Sequence, residues 1–144
     1  MAYLLDTDVI SELRRPAPNR GVLEWFERIP ASRLFLSVLV LGEIVQGIER
    51  LRARDRARAE ALDVWLATLR RTYSDHVVGV DEAVATEWGR LNAAARVPVV
   101  DGLMAATALV HGWTLVTRNG SDVAPTGVTV LDPFEAPDDP RPLG

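Results

Sequence analysis

The chain has no cysteine and no lysine, and only two histidines among its 144 residues. Without cysteine there is no disulfide framework and no thiolate metal site. Without lysine there is no P-loop, whose Gly-x-x-x-x-Gly-Lys turn needs an ammonium group. His76 and His111 have no triad or metal partner at useful spacing, so no chemistry is assigned to them. No apolar run reaches the roughly 18 residues of a spanning helix. The start, MAYLLDTDVI, lacks the basic lead and long apolar core of a secretory signal. A soluble, cytoplasmic protein is expected. Net charge is −4, and all 16 basic residues are arginine. A mildly acidic balance does not exclude a nucleic-acid partner, because local basic patches do the binding.

The 48% apolar content suits one globular domain, expected over residues 1–134. The tail 135–144 holds three prolines and no core pattern, and is expected to be loosely ordered. Short apolar runs at 2–5, 33–36, 77–80, 113–116 and 128–131 read as strands. Between them lie helical stretches: a short one to about Arg14 capped by Thr7 or Asp8, one capped by Asn19, one capped by Ser37, a long one over 53–73, one capped by Asp81, and one over 101–111. Alternating short strands and helices predict an α/β fold of three α/β/α layers around a mainly parallel, about five-stranded sheet. Ligands of such sheets sit beyond the carboxyl ends of the strands.

Acids occupy the margins of the apolar segments. Asp6 closes Ala2–Leu5, Glu43 interrupts the stretch from Val38 to Val45, and Asp101 follows Val97-Pro98-Val99-Val100. Each has an ordinary explanation. Asp6, Asp8 and Asp101 can cap helices, Glu43 can face solvent, and Asp122 can serve a turn in Arg118-Asn119-Gly120-Ser121. Their joint placement is harder to explain that way, because an unpartnered ionised carboxylate in a core costs several kcal/mol. Converging carboxylates either take up a proton or hold a cation. An all-oxygen set favours Mg²⁺ or Mn²⁺, which activates water and stabilises phosphoryl charge. The pattern points to metal-assisted phosphodiester hydrolysis.

Three segments, LLDTDVISEL, LSVLVLGEIVQGIERL and VVDGLMAATALVHGWTLVTRN, resemble in order and spacing the PIN-domain ribonucleases. The resemblance covers residues 2–134 and is strongest to the VapC-type toxins of bacterial toxin–antitoxin pairs, including the FitB-like branch. It implies a compact α/β/α fold, RNA cleavage with Mg²⁺ or Mn²⁺, a small antitoxin partner and a homodimer. Matched motif to motif, the first three acids are Asp6, Glu43 and Asp101. The fourth corner falls on Asn119 or Asp122. Thr117 matches the hydroxyl that supports this corner, and Asp8 stands where Asn is usual. The resemblance implies that Asp6 and Asp101 bind metal most directly, that Glu43 positions water or completes the coordination, and that products carry 5′-phosphate and 3′-hydroxyl ends.

Arg14, Arg15 and Arg118 are the candidates for RNA phosphate contacts. The alternating arginines from Arg50 to Arg58 are expected to be a solvated helix partnered locally by Asp55 and Glu60, with a phosphate-contacting arm as the alternative. The four tryptophans are expected in core or interface. Two other functions fit less well. Asp6-Thr7-Asp8 after a strand also matches the start of haloacid-dehalogenase-like phosphatases, but these balance a phosphoaspartyl group with the lysine missing here. A PIN-like module that binds RNA or antitoxin without cutting is disfavoured by the presence of all three acids.

Overall fold

The computed structural model describes residues 1–135. The expected loose tail, from the residue after Glu135, lies outside the described residues. Five strands form one sheet: β1 (Tyr3–Leu5), β2 (Leu34–Ser37), β3 (Val77–Val78), β4 (Thr114–Val116) and β5 (Val130–Leu131). Their order is β3-β2-β1-β4-β5, and every pairing is parallel. The expected α/β class and sheet are observed. Leu4 and Leu5 are fully buried at the centre, as are Leu36 and Val116 in the neighbouring strands. A parallel sheet covered on both faces explains why these strands read as continuous apolar runs rather than alternating ones.

The helices are α1 (Thr7–Glu12), α2 (Arg20–Arg28), α3 (Val38–Arg52), α4 (Arg56–Thr72), α5 (Glu82–Ala94), α6 (Val99–His111) and α7 (Gly120–Val123). The chain runs from β1 outward to β2 and β3, then crosses back over the sheet to β4 and β5. Parallel connections are right-handed, so this reversal puts α1 to α4 on one face and α5 to α7 on the other. Packing of α3 on α4 and of α5 on α6 fits that division. The reversal also places the topological switch between β1 and β4, where the crossovers diverge and leave a crevice.

Several boundaries differ from expectation. Asp6, rather than Thr7 or Asp8, caps α1 through a hydrogen bond from the Thr7 N–H. The helix expected from residue 53 starts at Arg56, because the Asp55 side chain accepts the Arg58 N–H and ends the turn after α3. Asp101 caps nothing: α6 begins at Val99 with Pro98 in the cap position, and Asp101 lies in its first turn. The Arg118–Ser121 loop is in part the short helix α7, with Asp122 in its first turn. Gly112 ends α6 in the left-handed region at φ 73°, a conformation that favours glycine. Among the described residues, no helix is long and apolar enough to cross a membrane.

Candidate active site

Asp6 stands at the carboxyl end of β1, and its own N–H donates to the Val116 carbonyl of β4 at 2.9 Å. Both carboxylate oxygens are held. Oδ1 accepts the Thr7 N–H at 2.8 Å and Oδ2 accepts the Thr117 hydroxyl at 2.7 Å. Thr117 is buried directly after β4, so the hydroxyl that fixes Asp6 comes from across the switch point. The same Thr117 oxygen accepts the Asn119 N–H at 3.0 Å. One side chain thereby ties β1, β4 and the start of α7 together.

Glu43 reaches the cleft from the second turn of α3. Its Oε1 accepts the Thr7 hydroxyl at 2.5 Å. Thr7 is offered by the sequence only as a possible helix cap, not as a site residue. Its position between two aspartates was a signal, but its partner lies 36 residues away and only the fold brings them together. Asp101 enters from the first turn of α6, on the opposite face of the sheet. Asp6, Thr7, Asp8, Glu43, Asp101 and Asn119 line one open cleft of about 330 Å³. Asp122 lies outside this lining, but its charge acts on Asp101.

The electrostatics record the crowding. Asp101 is raised above the ordinary carboxyl value, first by burial and then by Asp6, Asp122 and Glu43 in that order. All four proposed acids are therefore neighbours in charge. Asp8 is pushed up to about 6, mainly by burial and next by the Asp6 charge, with the nearby backbone N–H dipoles of Arg118 and Val9 opposing. Its Oδ1 is buried without a hydrogen-bond partner. Its Oδ2 accepts from the Asn119 amide at 3.5 Å, the limit of a hydrogen bond. Both candidates for the fourth corner thus stand near the cleft, Asn119 against Asp8 and Asp122 against Asp101.

This donor set suits a hard divalent cation. It offers only oxygen ligands, an orphaned buried carboxylate oxygen, and an aspartate raised by three like charges. Among the described residues, no three of these side chains are gathered closely enough to chelate a metal ion as they stand. Binding would require the carboxylates to swing inward, which their mutual repulsion opposes until a cation screens it.

The three candidate arginines are dispersed. Arg118 lies over the Phe134 ring, 3.7 Å from its centroid. Arg15 pairs with Glu12 at 3.6 Å. Arg14 lies over Trp65, 5.7 Å from the ring centroid, in an adjoining cavity. The expected partners of the later arginines are also different. Arg52 pairs with Glu49 and Asp63, while Asp55 serves as a helix cap. His76 and His111 belong to a stack of rings with Phe35 and Trp113, and His76 Nδ1 also lies 2.9 Å from the Leu34 carbonyl. Trp25 is in the core, and the other three tryptophans are half-buried.

Comparison with known proteins agrees with this geometry. A PIN-domain family model matches residues 3–123. The chain is 29% identical to Toxin FitB of Neisseria gonorrhoeae, over 91% of this chain and 97% of that protein. It is 28% identical to VapC ribonuclease Y4jK of Sinorhizobium fredii, over 92% and 97%. The solved structure of FitAB bound to an IR36 DNA fragment contains a chain that superposes with a TM-score of 0.83 at 27% identity, covering 92% of this chain and 95% of that one.

Proposed function

Because this chain belongs to the PIN-domain family, in its VapC- and FitB-like toxin branch, we propose that it is a divalent-metal-dependent ribonuclease and the toxin of a toxin–antitoxin pair. The observation that carries the reading is the convergence of Asp6, Glu43 and Asp101 on one cleft at the switch point, where burial first and then the charges of Asp6, Asp122 and Glu43 raise Asp101. A protein gains nothing for stability from such crowding, but a cation-assisted phosphodiesterase needs it.

Asp6, Asp101 and Glu43 would hold the cation, Mg²⁺ or Mn²⁺. When bound, it supplies Lewis-acid stabilisation of phosphoryl charge and favours ionisation of water. Asp6 is oriented for this task by Thr117 and the Thr7 N–H. Glu43, fixed by the Thr7 hydroxyl, orients the attacking water. Asn119 lines the cleft beside Asp8, and Asp122 adds negative charge that acts on Asp101. Attack is in line, the 3′-oxygen departs, and the products carry 5′-phosphate and 3′-hydroxyl ends.

The pairing with a small antitoxin rests on the toxin relative and on the FitAB assembly to which the fold corresponds. An RNA substrate assigns the protein to the cytoplasm, and a homodimer accords with its branch of the family. The test is end mapping of transcripts after induction of the protein, alone and with its antitoxin. New 5′-phosphate ends that appear only without antitoxin are expected. No new ends under any condition would count for a module that binds without cutting.

A further inference from the structure

Beside the acidic cleft lies a second cavity, of about 340 Å³, between α1, α3 and α4. Thr7 and Glu43 line both, so the two spaces adjoin across this hydrogen-bonded pair. One wall is apolar, formed by Leu51, Leu62 and Trp65. The rim is basic: Arg14 comes from the end of α1, Arg54 from the turn after α3, and Arg58 from the first turn of α4. Among the described residues none of these three arginines forms an ion pair with a carboxylate, whereas Arg15, Arg20, Arg52 and Arg90 do. Burial, then the Arg58 and Arg15 charges, push the Arg14 guanidinium below its ordinary value. A chain with net charge −4 has thus collected three arginines without ion-pair partners at one mouth, against Glu43 as the acid of the lining.

We propose that this cavity is a nucleotide subsite for single-stranded RNA, in which Arg14, Arg54 and Arg58 hold a phosphate and the base packs on the Trp65 wall, one step along the strand from the cleavage cleft. Three arguments favour this occupant. The charge complements a phosphate. A volume near the lower end of the roughly 300–1,000 Å³ of small-ligand sites suits one nucleotide rather than a helix. An aromatic wall beside guanidinium groups is the chemistry that holds unstacked bases without sequence choice. Because the two spaces adjoin at Thr7 and Glu43, successive nucleotides of one strand could occupy both.

The proposal rests on the ribonuclease reading for its direction along the strand but not for binding itself, so the test uses protein that cannot cut. The full chain carrying Asp101→Asn is titrated with fluorescein-labelled single-stranded RNA, and the fluorescence anisotropy is followed. Adding Arg14→Ala and Arg58→Ala together is expected to weaken binding about tenfold and to flatten the salt dependence by about 0.7 in log–log slope per lost phosphate contact. Trp65→Ala is expected to weaken it about tenfold, and Trp65→Phe to keep most of the affinity. In the otherwise unaltered protein the arginine pair should raise KM and leave kcat unchanged. Unchanged RNA affinity and KM in the arginine variant would overturn the subsite while leaving cleavage intact. Unchanged RNA affinity with loss of a copurifying protein partner would overturn it in favour of an acidic protein segment. Arginine-dependent binding by a protein that cleaves no RNA would uphold the subsite and remove the ribonuclease reading.

Discussion

Asp8→Asn is predicted to make the protein more stable, and only above the pH at which Asp8 ionises. In the folded protein Asp8 is pushed from 3.8 up to about 6, chiefly by burial and secondarily by Asp6. The native state therefore holds a proton that the unfolded state has already released between these two values. Stability falls as pH rises through that window and is fully diminished above about 6. The difference between 3.8 and about 6 corresponds to about 3 kcal/mol. Asp8 borders an open cleft, and solvent screening reduces this to about 1–2 kcal/mol. Asparagine keeps an acceptor for the Asn119 amide and removes the charge. Urea unfolding in EDTA should give a gain of about 1–2 kcal/mol at pH 7.5 and essentially none at pH 3.5. No gain at pH 7.5, or the same gain at both pH values, would refute the electrostatic argument.

Thr117→Val removes the hydroxyl that donates to Asp6 and accepts from Asn119. Chemical denaturation should show a loss of about 1.5–3 kcal/mol, and RNA cleavage should fall about 10- to 100-fold as Asp6 loses its orientation. Gly102→Val should be destabilising by about 1–3 kcal/mol in a thermal melt, because a Cβ there would meet the Trp88 ring at 3.1 Å. Mg²⁺ or Mn²⁺ at ten times its dissociation constant should stabilise the protein by about 1.4 kcal/mol. Asp101→Asn should abolish most of that gain in the same calorimetric scan.

The fold class was legible because each central strand is a short apolar run closed by a polar residue with work to do: Leu5 by Asp6, Leu36 by Ser37, Val116 by Thr117. Asp6 and Thr117 could both be placed at strand ends for that reason. Element boundaries were less legible where two residues competed for one task. Asp6, Thr7 and Asp8 can all cap a helix, and the choice of Asp6 depends on its N–H being engaged by β4. The helix expected from residue 101 begins two residues earlier, at Val99, because proline suits the start of a helix and Pro98 takes the cap position. The four-residue α7 is too short to leave any periodic signal. The gathering of the distant acids was legible from their motifs, whereas pairings outside that set were not. Thr7 reaches Glu43 because α1 packs against α3, and Arg14 shares a cavity with Arg54 and Arg58 because α3 in turn packs against α4.

Cation-assisted RNA cleavage through Asp6 and Asp101 is tested by comparing wild type, Asp6→Asn and Asp101→Asn on a labelled single-stranded RNA with Mg²⁺ or Mn²⁺ and with EDTA. Cation stabilisation of phosphoryl charge contributes several kcal/mol, so each variant should lose about 100- to 1000-fold in rate while keeping a wild-type circular dichroism spectrum. EDTA should silence the wild type, and the wild-type products should carry 5′-phosphates. Cleavage that survives EDTA, or wild-type rates in either folded variant, would contradict the account.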